Sequence, residues 1–161
     1  MKRLLILILL VLSASLARAE EAHVLEVIDG DSLLVEVRGI RAEVRLLGID
    51  APEWSQEWGP QAKEFALAFC TRGPVDLEYG KERFDRYNRI LAYVWKDGKM
   101  LNEELLANGL AVTYMLKKRD KYAAKLQADE ERAKAARAGF WAQGGLAQQP
   151  REYRKASHAN K

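Results

Sequence analysis

Three stretches of alternating apolar and polar residues follow one another between His23 and Leu47, separated only by turn dipeptides. His23–Ile28 alternates, Asp29-Gly30-Asp31 breaks it, Ser32–Val37 alternates again, Arg38-Gly39 turns, and Ala42–Leu47 supplies a third run. A period of two marks a half-buried strand, and Gly, Asp and Asn between such runs mark tight turns. Three strands joined this way read as a meander. Asp50–Pro60 is then a loop rich in Pro, Gly and Trp. Pro60 suits the first turn of a helix, whose apolar face runs through Ala62, Phe65, Ala66, Leu67, Phe69 and Cys70 to about Thr71. Gly73-Pro74 ends it. Val75–Tyr79 reads as a fourth strand, Gly80–Asn88 as a charged loop, Ile90–Trp95 as a fifth strand and Asp97-Gly98 as a turn.

A short helix is expected from Asn102, as its cap, through Asn108, with Gly109 ending it. A long Ala-, Lys- and Glu-rich helix follows over Tyr122–Ala138, stopped by Gly139, after which Phe140-Trp141 can pack on the core. The expected class is α+β: a five-stranded OB-type barrel with three helices. From residue 144 the composition turns to Gly, Gln, Pro and charge, and 144–161 reads as a disordered tail.

The N-terminus has a different character. Lys2-Arg3 precedes an apolar run from Leu4 to Leu12, and Ala17-Arg18-Ala19 offers small residues at the positions a signal peptidase reads. Residues 1–19 are therefore expected to be a cleaved secretory signal, with residues 20–143 as the folded domain and a periplasmic or secreted destination. Of the 26 Lys and Arg, three lie in 1–19 with no acid, leaving 23 basic against 23 acidic residues. A neutral mature chain excludes any argument for nucleic-acid binding from overall basicity; attraction to phosphate must come from local clusters. Cys70, the single cysteine, allows no intramolecular disulfide and reads as a small core residue.

Chemistry concentrates in three segments where strands end: Asp29-Gly30-Asp31-Ser32, Arg45 through Glu53, and Asp85-Arg86-Tyr87-Asn88-Arg89. Asp50 and Glu53 flank Ala51-Pro52, whose rigid backbone can turn both acids toward one point. Two acids and an arginine converging ask for a hard divalent cation with oxygen ligands, and Asp31 can add another oxygen. Each segment alone is equally an ordinary turn or helix cap. An EF-hand is excluded, because the twelfth loop position would be Ile40 or Ala42 rather than Glu. Zinc has no support, and neither His23 nor His158 has the neighbours of a catalytic base. Trp54 and Trp58 allow two readings, base stacking or anchoring of the loop on the barrel, whereas Trp95 and Trp141 read as core.

Taken in order, the segments resemble the staphylococcal (micrococcal) nuclease family. The resemblance runs through Val27–Ser32, Val44–Glu53, Asp85–Val94, Asp97–Glu103, Gly109-Leu110-Ala111 and Phe140-Trp141, covering about residues 22–142. It implies an OB barrel that hydrolyses DNA and RNA to 3′-phosphate and 5′-hydroxyl ends with Ca²⁺. Asp31, Asp50 and the backbone carbonyl of Ala51 would hold the ion. Glu53 would position or deprotonate water, and Arg45 and Arg89 would grip the scissile phosphate. Arg86, Tyr87 and Tyr114 would bind the nucleotide, with single strands preferred and a monomer acting alone. The sequence departs from the family pattern at Ala51 and Ser32, each for a frequent Thr, and at Asn88 for Gly. It also has Met115-Leu116 where a second Tyr is frequent. The competing reading is an inactive OB-fold nucleic-acid-binding module, disfavoured because every charged position is present.

Overall fold

The computed structural model describes residues 19–159. The expected signal peptide therefore lies, except for Ala19, outside the described residues. Strand β1 spans Glu20–Val27, β2 Ser32–Val37 and β3 Ile40–Leu46, in the antiparallel meander that the alternation predicts. The two-residue β4 is Ile49–Asp50, helix α1 is Gly59–Cys70, β5 is Val75–Phe84 and β6 is Ile90–Lys96. After β7 (Lys99–Met100) come α2 (Leu101–Ala107), β8 (Val112–Thr113), α3 (Ala123–Ala136), a 3₁₀ turn over Gly139–Gln143, and α4 (Pro150–Ala159).

Five strands close on themselves. β1 lies between β2 and β5, β5 pairs with β6, and β6 returns to β3 in the only parallel pairing of the barrel among the described residues. Closure removes the exposed edges an open sheet would present. The inward residues Val27, Leu33, Val35, Val44, Leu46, Leu77, Ile90, Ala92 and Val94 are all buried. Helices α1 and α2 add Ala62, Ala66, Leu101, Leu105 and Leu106 to the same core. Phe140 is fully buried and meets Trp58 edge-to-face at 6.3 Å. That contact resolves the two readings of Trp58 in favour of anchoring, whereas Trp54 is exposed under Lys63. Trp95 and Trp141 are half-buried rather than core. Cys70 is buried, and burial pushes its thiol up to about 11, as an inert core cysteine requires.

Three expectations are corrected. Among the described residues there are four α-helices rather than three, because residues 150–159 are helical and not a disordered tail. Pro150 is pre-set for a first helical turn, and the helix is held by polar partners that hydropathy does not register. Asn102 does not cap α2. It is wholly buried in the first turn, accepting a hydrogen bond from the Val94 backbone and donating one to the Leu47 carbonyl at 2.8 Å. It thus ties α2 to the barrel. The β4–β8 pair also went unforeseen, since two-residue strands carry no readable period.

Candidate active site

The acids assemble around the end of the meander. At the Asp29-Gly30-Asp31 turn, the Ile28 and Asp29 backbone N–H groups donate to the Ser32 carbonyl, and the Asp31 N–H donates to Asp29 Oδ1. Gly30 is required by space. A Cβ there would lie 2.8 Å from the Cβ atoms of both Ala51 and Ala62, so the turn packs directly on the second acidic segment and on α1. Asp31 Oδ2 accepts the Ala51 N–H at 2.5 Å, which stitches the two segments together. The second segment is positioned by β4, whose Ile49 and Asp50 pair with Thr113 and Val112 of β8. Glu130 of α3 fixes β8 in turn, accepting from the Thr113 N–H and hydroxyl, each at 3.0 Å.

Asp31 and Asp50 are 3% and 1% exposed. Carboxylates so buried need countercharge. Arg45, opposite Ser32 on β3, reaches both: its Nη2 is 2.8 Å from Asp50 Oδ1 and 3.1 Å from Asp31 Oδ2, and its Nη1 donates to the Leu46 carbonyl. Burial pushes the Asp31 carboxyl up to about 6 against the pull of Arg45, and raises Asp50 likewise. A second cation was not foreseen. Arg154 of α4 donates through Nη2 to both oxygens of Asp50, at 3.0 and 2.9 Å, and through Nη1 to Glu53 Oε1 at 2.7 Å. Only the PREYR string, with Pro at a helix start, could have signalled this helix, and nothing local ties it to residues a hundred positions earlier.

Arg89 lines the same cleft just ahead of β6, with its Nη1 3.7 Å from Glu43 of β3. Asp85 organises its loop: Oδ1 accepts the Tyr87 and Arg89 N–H groups, and Oδ2 accepts Arg89 Nε and lies 2.7 Å from Nη2. Burial raises the Asp85 carboxyl, but these bonds more than offset it and leave the group below the usual carboxylate range. Asn88, where the family pattern has Gly, takes a left-handed backbone, φ 63°, which Asn tolerates. Tyr87 is largely exposed, with Arg86 at 4.7 Å and Arg89 at 5.5 Å from its ring. Tyr114 follows β8, anchored by its N–H to the Gly48 carbonyl. Asp31, Arg45, Glu53, Arg86, Tyr87, Arg89 and Tyr114 all line one open cleft of about 1600 Å³. Every residue assigned from the sequence thus lines this cleft or, like Asp50 and Ala51, is bonded to one that does.

A family described as "Staphylococcal nuclease homologue" matches residues 43–143. The chain belongs to the staphylococcal nuclease family. It is 35% identical over 80% of its length to the thermonuclease of Staphylococcus hyicus, covering 81% of that protein. It is 34% identical to the thermonuclease of Staphylococcus intermedius, with 80% of each chain covered. Against endonuclease YncB of Bacillus subtilis it is 36% identical, over 73% of this chain and 60% of that one. The family match ends at 143, so α4 and Arg154 lie beyond the matched module.

A divalent cation fits the donor set. Asp31 and Asp50 offer buried oxygens around one position, and a guanidinium already stands in as a cation on Asp50 and Glu53. Among the described residues no three acidic, His or Cys side chains close on one point as a ready-made cage. Arg45 and Arg154 stand among the acids instead.

Proposed function

We propose that this protein is an exported, Ca²⁺-dependent nuclease that cleaves DNA and RNA to 3′-phosphate and 5′-hydroxyl ends. The observation that carries the reading is that Arg45, Glu53, Arg89 and the buried Asp31 line one cleft, with Asp50 bonded to Arg45 beneath it. The thermonuclease and endonuclease relatives support phosphodiester hydrolysis as the reaction. Phosphodiester hydrolysis loads negative charge onto the phosphoryl oxygens at the transition state. Arg45 and Arg89 meet that charge with paired, planar N–H donors, a geometry Lys cannot copy. Arg45 is pre-aimed by Asp31, Asp50 and the Leu46 carbonyl, and Arg89 by Asp85, so little reorganisation accompanies the reaction. Glu53, at the solvent-facing end of the acidic cluster, orients water for attack on phosphorus and takes its proton, while the 5′ oxygen departs.

Asp31, Asp50 and the Ala51 carbonyl are the ligands a calcium ion would take. Once bound, it would offset repulsion between phosphate and attacking water. The exposed Tyr87 and the cleft-lining Tyr114 suit unpaired bases, which they can stack on, and so favour single strands. All these groups come from one chain, in keeping with a monomer. Export is supported by the basic, apolar and small-x-small pattern ahead of Glu20, where β1 begins.

Digestion of single-stranded DNA and RNA in Ca²⁺, Mg²⁺ or EDTA tests the reading. Cleavage in Ca²⁺, abolished by EDTA and leaving 3′-phosphate ends, is expected. Binding without cleavage by folded, calcium-loaded protein would overturn it in favour of a binding module.

A further inference from the structure

Helix α4 brings a guanidinium to the two acids that the proposed reaction needs for its cation and its water. Arg154 makes three hydrogen bonds to Asp50 and Glu53, occupying both oxygens of Asp50. A carboxylate with both oxygens filled by an arginine has little left for an incoming ion. The contact is built, since neighbouring pairs hold the same segment down. The Tyr153 hydroxyl lies 2.9 Å from Ser55 Oγ, Gln56 Nε2 donates to the Gln148 carbonyl, and Gln143 Nε2 donates to Glu57. These docking contacts are polar, and no residue of α4 belongs to the hydrophobic core cluster. The helix has 10 residues, too few to be stable in isolation. Gly144 and Gly145, both at positive φ, end the 3₁₀ turn ahead of the segment. A short segment held by a few polar contacts, those of Tyr153 and Gln143 exposed, opens at low cost.

The geometry points to Arg154 as a built-in competitor for the divalent cation: α4 seats its guanidinium on Asp50 and Glu53, and lifts away when the ion binds. This rests on the reading of Asp31, Asp50 and Ala51 as cation ligands. Charge favours the exchange. With Arg154 seated, the four carboxylates Asp29, Asp31, Asp50 and Glu53 face two guanidiniums, and a divalent ion in its place brings the cluster one charge nearer neutrality. Arg151 and Lys155, also along the cleft, move with the helix. Cation binding and the shape of the substrate groove are thereby linked.

An arm docked nine-tenths of the time weakens apparent cation affinity about tenfold. Calcium titration by calorimetry on the full chain tests this with Arg154→Gln, which removes the guanidinium, and Tyr153→Phe, which loosens the arm without touching the acids. Arg154→Gln is expected to bind Ca²⁺ about tenfold more tightly than wild type, and Tyr153→Phe to fall between them. Asp50→Asn should abolish binding in either background. In wild type, Ca²⁺ should accelerate tryptic cleavage at Arg151 as the arm lifts. Equal or weaker Ca²⁺ binding by Arg154→Gln, with Asp50→Asn still abolishing it, would refute the competitor and leave the cation site standing. Folded wild type and Arg154→Gln that both ignore Ca²⁺ would refute the cation site, and the competitor with it.

Discussion

Arg45 is structural in this fold and, in the proposed reaction, chemical as well. It is nearly buried, and it is tolerated because Asp31, Asp50 and the Leu46 carbonyl take its N–H groups. The same bonds aim it at the cleft. Arg89 has the matching arrangement on a more exposed loop, with Asp85 as its holder. Arg89→Ala should therefore leave the fold intact and lower turnover by at least about a hundredfold, as loss of a transition-state donor does. A steady-state assay showing a loss under about twofold would remove Arg89 from the mechanism. Gly30 constrains the site by having no side chain. Gly30→Ala would push a methyl group against Ala51 and Ala62, costing about 1–3 kcal/mol of stability as overpacking does. It would also shift Asp31 against the Ala51 N–H. Thermal denaturation checks this, with a lowered Tm expected.

Among the elements, those the sequence foretold and those it did not differ in what holds them. The meander, α1, β6 and α3 carry their own signals: alternation, Pro60 at a helix start, and turn residues between runs. Each packs an apolar face on a common core. The β4–β8 pair and α4 carry no such signal, because polar partners distant in sequence position them. Glu130 is a polar residue buried in α3, and it pins Thr113 of β8 and so holds the register that sets Asp50. Glu130→Ala would orphan the Thr113 N–H and should cost about 1–3 kcal/mol. Urea denaturation should register that loss, and activity should fall with it as β4 loosens. Unchanged stability would mean that β8 is held by its pairing alone. For α4, the compositional argument for disorder failed at a definable point. Low hydrophobicity rules out core packing, but not docking of a cation onto buried carboxylates.

At the scale of the molecule, the barrel is a frame that brings three chain segments to one place. Parallel pairing of β3 with β6 sets Arg45 beside Leu91, two residues beyond Arg89. The turn before β2 packs on the segment after β3, so Asp31 meets Asp50 through Arg45. That most of these residues gather at one cleft was legible in the ordered motifs, because each motif follows a strand end that the barrel brings to the same place. What they could not convey is that Asp50 and Glu53 already hold a cation from the chain's own C-terminal helix.

The assignment of Glu53 as the group that activates water is tested most directly by turnover of Glu53→Gln and Glu53→Ala on single-stranded DNA at saturating Ca²⁺. Both should retain calcium binding through Asp31 and Asp50 and lose at least about a hundredfold in rate, the usual worth of a positioned general base. Folded, calcium-loaded variants that cleave within about twofold of wild type would contradict it, and the chemistry would have to be reassigned to another group in the cleft.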